Sequence, residues 1–382
     1  MIKEITTALQ EGVDEGHYSG AVWLVYKEKS GTAKGAVGFS SIIPEKEPMR
    51  EDTIFDLASL TKPLITCPLI VKALSAGYID FDAPLVDQNV LPFANRIGEV
   101  SVSQLLTHTS GIRSWYPCYA IKKKMLRGTA IVGPDGRILY EKVPKMIDQY
   151  VVNISAMPLD AAPGEKIIYT CLGYIILAYI LQVKKRVKFK EEAARLIINP
   201  LELKRTFFDV PENLIKETAA GEDGNQSEKK KVAALNLSFD GWRSGIIRGT
   251  VNDCNAYYAD STTGNAGLFA DIEDTLKMAK QHFTGSKLFP EDELRLMHEN
   301  LTQHTGDARS LGWRLSISEN NPAKSILSDH AIGHTGYTGT ALWIDPYKKE
   351  VYILFLNRLH PGKTEFQIDD LRRKFLKLAT EI

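Results

Sequence analysis

Residues 55–63 read Phe-Asp-Leu-Ala-Ser-Leu-Thr-Lys-Pro, and within them Ser59 and Lys62 stand three positions apart. Positions i and i+3 of a helix share one face, so this spacing predicts that the serine hydroxyl and the lysine amine lie within hydrogen-bonding reach. A serine becomes a nucleophile when a neighbouring base takes its proton, and a buried lysine beside other positive groups can be that base. The alternative is a helix N-cap followed by a solvated lysine. The same spacing recurs at 227–230, in a charged stretch that we interpret as surface.

Two further stretches carry candidate functional residues. Residues 163–174 read Pro-Gly-Glu-Lys-Ile-Ile-Tyr-Thr-Cys-Leu-Gly-Tyr and contain Tyr169, for which the alternative is a core aromatic. Residues 333–340 read Gly-His-Thr-Gly-Tyr-Thr-Gly-Thr, and glycines within a strand let a substrate approach the backbone. An exposed strand edge can pair with a peptide-like substrate and donate a backbone N–H to an oxyanion. The alternative for His334 is a polar residue that caps a strand, and we interpret the second His-Thr-Gly, at 304–306, as a loop.

These motifs follow one another in the order S-x-x-K at Ser59, a tyrosine at Tyr169 and H-T-G at His334, separated by 110 and 165 residues. Their order and spacing resemble the serine β-lactamase and penicillin-binding protein superfamily, in particular its class C β-lactamase-like branch, which includes DD-peptidases and esterases. The resemblance runs from about residue 15 to the C-terminus. The supporting matches are the segments Leu105–Gly111, Gly264–Phe269 and Leu311–Leu315.

The resemblance implies an α+β fold of the β-lactamase/transpeptidase type. In it, an antiparallel sheet is flanked by N- and C-terminal helices, and a mainly helical domain completes the site. We therefore predict a discontinuous α/β-sheet domain formed by residues 1–60 and 262–382, and a mainly helical domain formed by residues 61–261. The turn signal Gly-Pro-Asp-Gly at 133–136 predicts a hairpin inserted near 129–140.

Hydrophobic periodicity predicts the individual elements. The predicted helices cover residues 2–15, 61–78, 101–106, 174–181, 189–198 and 368–382, with Ser103 as the N-cap of the third. The predicted strands cover residues 21–26, 35–43, 341–344 and 350–357. The polar stretch 216–231 is predicted to be a surface loop.

The resemblance also implies three sets of site residues. The catalytic set, which supplies the nucleophile and moves its protons, is Ser59, Lys62 and Tyr169. The oxyanion hole is formed by the backbone N–H groups of Ser59 and Tyr337. The substrate-binding set is His334, Thr335, Gly336 and Cys171.

Two members of the substrate-binding set carry specific expectations. Cys171 stands where the family's Y-x-N motif has an asparagine, whose amide contacts the lysine and the amide of the substrate in the family. A thiol is a weak donor and a weak acceptor, so we expect weaker recognition of acylamino substrates. His334 stands where other family members have a lysine. Because an ordinary histidine changes charge near neutral pH, we expect His334 to bind a substrate carboxylate when protonated and to make activity pH-dependent.

The composition excludes several classes of protein. The 47 basic and 47 acidic residues balance, so the chain as a whole has no attraction to nucleic acid or to an anionic membrane. The cysteines are far apart and show no metal-ligand spacing, so we predict reduced thiols, no metal and no cofactor. They are Cys67, Cys118, Cys171 and Cys254. No apolar run typical of a signal peptide follows Met1, which predicts a cytoplasmic protein.

We therefore predict a serine hydrolase of carboxylesterase type that forms a covalent acyl-enzyme on a small ester or amide. Its partner is a small-molecule or peptide-like substrate, with no nucleic acid and no membrane segment. The first alternative is a DD-carboxypeptidase or β-lactamase-like, penicillin-binding hydrolase, which would need export. The second is a catalytically silent β-lactamase-like scaffold that binds a peptide or itself. An α/β-hydrolase is disfavoured because the chain has no G-x-S-x-G motif.

Overall fold

The computed structural model describes residues 1–88, 90, 96–121, 146–361 and 366–382, so the hairpin predicted near 129–140 lies outside the described residues. The strands are β1 (Gly20–Lys27), β2 (Gly31–Ser41), β3 (Glu47–Pro48), β4 (Phe55–Asp56), β5 (Phe269–Ala270), β6 (Arg314–Leu315), β7 (Ile332–Thr335), β8 (Thr340–Asp345) and β9 (Glu350–Leu356). The helices are α1 (Ile2–Asp14), α2 (Cys67–Ser75), α3 (Val102–Leu106), α4 (Met146–Ser155), α5 (Cys171–Lys185), α6 (Phe189–Ala193), α7 (Gln226–Ala234), α8 (Cys254–Tyr258), α9 (Ile272–Ala279), α10 (Glu291–His298) and α11 (Ile368–Thr380). None of the described helices is long and apolar enough to cross a membrane.

Seven strands form one antiparallel sheet in the order β3-β2-β1-β9-β8-β7-β6, so both ends of the chain contribute to it. The central strands are apolar at successive positions because both faces of the sheet are covered, and side chains alternate between the faces. From β1, Trp23 packs with the terminal helices α1 and α11, whereas Val22 and Leu24 belong to the core shared with the helical part of the chain. The predicted sheet and terminal helices are thereby confirmed.

The start of α3 differs from the prediction, because its N-cap is Ser101 rather than Ser103. The Ser101 hydroxyl accepts the backbone N–H of Gln104 at 3.3 Å, and the Gln104 side chain accepts the backbone N–H of Ser101 at 3.0 Å. This reciprocal capping box satisfies two backbone donors that a cap at Ser103 would leave open. The hydroxyl of Ser103 instead donates to Asp82.

The surface-loop prediction for residues 216–231 is wrong at its C-terminal end, because α7 begins at Gln226. The helix is anchored by Glu228, which is only 6% exposed. Its carboxylate accepts the Tyr119 hydroxyl at 2.7 Å and the backbone N–H of Cys254 at 2.9 Å. Both partners are distant in sequence. A charged stretch whose composition indicates a solvent-exposed loop therefore contains a buried glutamate that anchors the helix. All four cysteines are unpaired, as predicted.

Candidate active site

Ser59 lies in a short 3₁₀ turn, Ala58–Leu60, that leads into α2. Ala58 has φ 48°, a left-handed conformation that a non-glycine residue adopts only when its surroundings hold it there. The carboxylate of Asp56 supplies that support, since it accepts the backbone N–H of Ala58 at 2.8 Å and that of Asn252 at 2.7 Å. Burial raises the pKa of Asp56 to about 6, against the opposing effect of these hydrogen bonds. The turn leaves Ser59 partly exposed, at the edge of a cavity.

Lys62 is completely buried, and its Nζ contacts one neighbouring side chain and two groups from distant parts of the chain. It lies 2.9 Å from Ser59 Oγ, 2.8 Å from the backbone oxygen of Asn265 and 3.4 Å from Cys171 Sγ. An ammonium has three donors, and these contacts offer it a hydroxyl, a backbone carbonyl and a sulfur as acceptors. The helical i, i+3 spacing therefore brings Ser59 and Lys62 together, and residues far along the chain complete the environment of the lysine.

Tyr169 stands on the segment just before α5, beside the lysine. The Lys62 Nζ lies 5.2 Å from the centre of its ring. His108 holds this segment on both sides of Tyr169: its backbone oxygen accepts the N–H of Ile168 at 2.9 Å, and its Nδ1 accepts the N–H of Thr170 at 3.0 Å. The His108 ring also packs against Tyr169, with 4.5 Å between the ring centres. His108 therefore fixes the position of Tyr169, although sequence analysis assigned no role to this histidine.

The pKa values of Lys62 and Tyr169 are coupled through their contact. Burial acts to lower the pKa of Lys62, but its attraction to Cys171 and Tyr169 outweighs burial and raises it. Burial raises the pKa of Tyr169, while the Lys62 charge and hydrogen bonds with Ser59 and Lys62 oppose that rise. The attraction that keeps Lys62 protonated is strongest when Tyr169 is ionised. Lys62 can therefore accept the Ser59 proton only in the minor form of the site in which its own proton has been released.

The end of β7 approaches the serine turn closely because residue 336 is a glycine. A Cβ on Gly336 would lie 2.6 Å from the backbone oxygen of Leu57. Two side-chain hydroxyls join the same segments. Thr338 Oγ1 donates to the backbone oxygen of Asp56 at 2.7 Å, and Thr340 Oγ1 donates to the backbone oxygen of Leu57 at 3.1 Å. These contacts place the H-T-G strand and the following Tyr337 beside Ser59.

His334 is only 7% exposed, and its Nδ1 lies 3.0 Å from the backbone oxygen of Thr335. Burial, followed by the positive charges of Lys62 and Arg309, holds the pKa of His334 well below its ordinary value. The expectation that it changes charge near neutral pH is therefore wrong. With Nδ1 donating to Thr335, the neutral ring presents Nε2 as an acceptor, which cannot bind a carboxylate.

The pH dependence of activity tests this correction. A His334→Gln variant is expected to keep the shape of the wild-type kcat/KM profile between pH 5.5 and 8, because His334 is already neutral across that range. Hydrolysis of a chromogenic ester at half-unit intervals measures both profiles. An inflection near pH 6.5 in the wild type that disappears in His334→Gln would contradict the assignment of a neutral ring.

Sequence analysis assigned no role to the arginines that line the cavity beside Ser59. The cavity is about 360 Å³ in volume and contains four arginine side chains among the described residues, Arg309, Arg314, Arg358 and Arg372. Arg314 lies in the segment Leu311–Leu315, which was singled out only as a supporting match, and the other three lie in loops and on the last helix, outside the quoted motifs. The carbonyl of Asn265 was also missed, although the segment Gly264–Phe269 that contains it was singled out. Among the described residues, no group of three or more His, Cys, Asp or Glu side chains is arranged to hold a metal ion.

Comparison with known proteins adds family membership to this geometry. The sequence model of the family described as Beta-lactamase matches residues 5–377, nearly the whole chain. The chain is 26% identical over 387 residues to an N-acetylmuramyl-L-alanine amidase of Bacillus subtilis (strain 168), covering 94% of this chain and 81% of that protein.

Two solved structures show the same fold at low sequence identity. EstCE1, described as a hydrolase with promiscuous acyltransferase activity, superposes with a TM-score of 0.68 at 17% identity and 98% coverage of both chains. A β-lactamase/D-alanine carboxypeptidase from Pseudomonas syringae superposes with a TM-score of 0.69 at 15% identity, covering 99% of this chain and 98% of that one. The chain therefore belongs to the β-lactamase family of serine hydrolases.

Proposed function

We propose that this protein hydrolyses a small ester through a covalent acyl-enzyme, as a carboxylesterase does. The observation that carries the proposal is the 2.9 Å contact between Ser59 Oγ and the Nζ of the completely buried Lys62. A serine hydroxyl at hydrogen-bonding distance from an amine can lose its proton as it attacks. The second S-x-x-K spacing, at 227–230, lies on α7, where no such buried pair is formed among the described residues.

In the proposed reaction, Lys62 first releases a proton to solvent, and Ser59 Oγ then attacks the ester carbonyl carbon while its own proton passes to the neutral Lys62. The backbone N–H groups of Ser59 and Tyr337 stabilise the oxyanion of the tetrahedral intermediate. The bond to the leaving alcohol then breaks, and Tyr169 supplies the proton that the departing oxygen needs. Water attacks the acyl-enzyme by the reverse route, with the tyrosine taking its proton and Ser59 regaining one. The products are a carboxylic acid and an alcohol.

The preference for an ester rests on Cys171. Its sulfur lies 3.4 Å from Lys62 Nζ. By the motif resemblance, Cys171 takes the position of the family's asparagine, whose amide contacts the lysine and the amide side chain of the substrate. A thiol cannot donate and accept strongly at the same time, as an amide group does. A small ester without an acylamino side chain offers no amide for such an asparagine to recognise, so it loses less from the replacement. EstCE1, a structural neighbour, is itself described as a hydrolase with promiscuous acyltransferase activity.

A peptide hydrolase of the DD-carboxypeptidase type is the second candidate, and one observation favours it. The strand β6 pairs only with Ile332 and Gly333 of β7. The backbone of His334 and Thr335 therefore has no strand partner on that side among the described residues. An extended peptide could add to this edge and place its scissile bond beside Ser59.

Intact-protein mass spectrometry after incubation with a fluorescent penicillin, in parallel with p-nitrophenyl butyrate hydrolysis, separates the two candidates. We expect release of p-nitrophenol and no lasting penicillin adduct on the wild-type protein. The matched Cys171→Asn variant should gain a penicillin adduct, because it restores an amide beside Lys62. A stable adduct on Ser59 of the wild type without ester turnover would overturn the esterase proposal in favour of the peptidase. If the wild type forms no adduct and releases no p-nitrophenol, the catalytically silent scaffold is the interpretation that remains.

A further inference from the structure

The ring of Tyr169 is surrounded by neutral rings and by basic side chains. Its centre lies 4.5 Å from that of His108 and 5.8 Å from that of His334. Burial, followed by nearby positive charges, holds the pKa of both histidines well below the ordinary value, so both rings are neutral. Two cations also face the tyrosine ring, with Lys62 Nζ at 5.2 Å and the guanidinium carbon of Arg309 at 6.0 Å from its centre. Among the described groups that face this ring, these two side chains supply the positive charge.

The charges on the two cations differ in permanence. In the proposed reaction, Lys62 releases a proton before it accepts that of Ser59, so its charge changes within one turnover. Burial lowers the pKa of Arg309, while its attraction to Asp307 and then to ionised Tyr169 acts in the opposite direction. A guanidinium nevertheless keeps its proton at neutral pH. Arg309 therefore supplies a permanent positive charge beside Tyr169.

Arg309 is held in place through both its backbone and its side chain. Its backbone N–H donates to Thr302 Oγ1 at 2.9 Å, and its backbone oxygen accepts the N–H of Leu301 at 2.8 Å. Its Nε donates to the Asp307 carboxylate at 3.2 Å, and the residue is only 8% exposed. It lines the same cavity as Tyr169. A charge fixed in this way needs little reorganisation when an opposite charge develops beside it.

Tyr169 is the group on which such an opposite charge develops in the proposed reaction. When the leaving alcohol departs, the tyrosine O–H bond breaks, the proton goes to the alcohol oxygen and the electron pair stays on a phenolate. That phenolate later takes a proton from the attacking water. Burial raises the pKa of Tyr169 and makes the phenolate costly to form. A fixed positive charge facing the ring lowers that cost.

We propose that Arg309 is a positioning residue for Tyr169, whose permanent charge stabilises the phenolate that forms each time the tyrosine protonates the leaving group. The inference rests on the proposed function for the proton transfer itself. It gives a part in the reaction to an arginine that lies outside the S-x-x-K, tyrosine and H-T-G motifs.

The test is the dependence of kcat/KM on the leaving group, with the butyryl group kept constant. p-Nitrophenolate is a weak base and departs without a proton, whereas the leaving oxygens of phenyl butyrate and ethyl butyrate are progressively stronger bases. Arg309→Gln is therefore expected to lower kcat/KM less than about threefold for p-nitrophenyl butyrate and at least about tenfold for ethyl butyrate, with phenyl butyrate between them. A structural role would lower kcat/KM equally for all of the esters, and that outcome would overturn the inference.

Two further variants test whether the charge facing Tyr169 is the property that matters. Arg309→Lys keeps a positive charge and should recover part of the loss seen with ethyl butyrate. Arg314 is the matched control, because it is 29% exposed and pairs with the same Asp307, at 3.3 Å. Arg314→Gln should leave the ratio of kcat/KM for ethyl and p-nitrophenyl butyrate as in the wild type. Equal changes of this ratio in Arg309→Gln and Arg314→Gln would contradict the assignment.

Asp307→Asn keeps the inference testable if thermal melting shows that Arg309→Gln does not fold. The side chain of Asp307 is 24% exposed, and its removal takes away the negative charge that partly neutralises Arg309. The phenolate should then form more easily, so kcat/KM for ethyl butyrate should rise relative to that for p-nitrophenyl butyrate. A relative fall would count against the inference.

Failure of this inference is distinguishable from failure of the proposed function. Ester hydrolysis with equal losses for all leaving groups would overturn only the role of Arg309. A wild type that forms a penicillin adduct and hydrolyses no ester would overturn only the esterase proposal. The rate of adduct formation then replaces the ester rates, because the amide nitrogen of a penicillin needs a proton as its ring opens. Slower adduct formation in Arg309→Gln than in Arg314→Gln would support the inference, and equal rates would overturn it. A wild type that forms no acyl-enzyme with either substrate would overturn both.

Discussion

A Ser59→Ala protein is expected to hydrolyse p-nitrophenyl butyrate at least about 10⁴-fold more slowly than the wild type, measured as kcat/KM. The substitution removes the atom that forms the acyl-enzyme, and only binding and polarisation of the carbonyl remain. It should also take no label from a serine-reactive phosphonate, as read by intact mass. Ser59 is partly exposed, and its turn is supported by the hydrogen bond from the backbone N–H of Ala58 to the Asp56 carboxylate, so the variant should keep its melting temperature.

The matched control for this result is Ser227→Ala. Ser227 has the same S-x-x-K spacing, but it lies on α7 beside the buried anchor Glu228. This variant should keep full activity and full labelling. Labelling that persists in Ser59→Ala, or that is lost in Ser227→Ala, would show that the nucleophile lies elsewhere.

Replacing Lys62 with methionine is expected to lower kcat about 10²- to 10⁴-fold, the usual contribution of a positioned base. Methionine has a similar length and no charge, so it fills the buried space without leaving an unpaired ammonium. It cannot take the proton of Ser59, and the oxygen of Asn265 loses its donor. The value of kcat should recover partly as pH is raised, since hydroxide can then replace the missing base.

The control for this variant is Lys230→Met, which changes the lysine of the second S-x-x-K spacing and should leave kcat unchanged. Both proteins are compared by thermal melting, so that loss of fold is not mistaken for loss of the base. A folded Lys62→Met protein with kcat within tenfold of the wild type, flat as pH rises, would contradict the role assigned to Lys62.

Contacts that depend on local periodicity were predictable from the sequence. The pairing of Ser59 with Lys62 follows from three positions along a helical turn. The terminal helices and the central strands follow from the spacing of apolar residues, since a buried face repeats every 3.6 or every 2 residues. The family resemblance then linked these local features to Tyr169 and to the H-T-G strand, which no local pattern connects.

The state of the site depends on burial and on neighbours brought together by folding. The sequence alone predicts that His334 titrates as an ordinary histidine. The tertiary structure buries it and places Lys62 and Arg309 nearby, and both effects hold its pKa well below the ordinary value. Glu228 lies in a charged run and is nevertheless a buried acceptor. Such properties cannot be read from a linear pattern, because desolvation and charge depend on distances between residues far apart in the chain.

The sequence by itself determined the fold, the serine–lysine pair and the family, because each of these rests on spacing along the chain. The tertiary structure alone decided which groups complete the site. It places the Asn265 oxygen and Cys171 around Lys62, and it gathers separate arginines into one cavity next to Ser59. No sequence motif links those arginines to one another, since a cavity needs only that side chains converge in space.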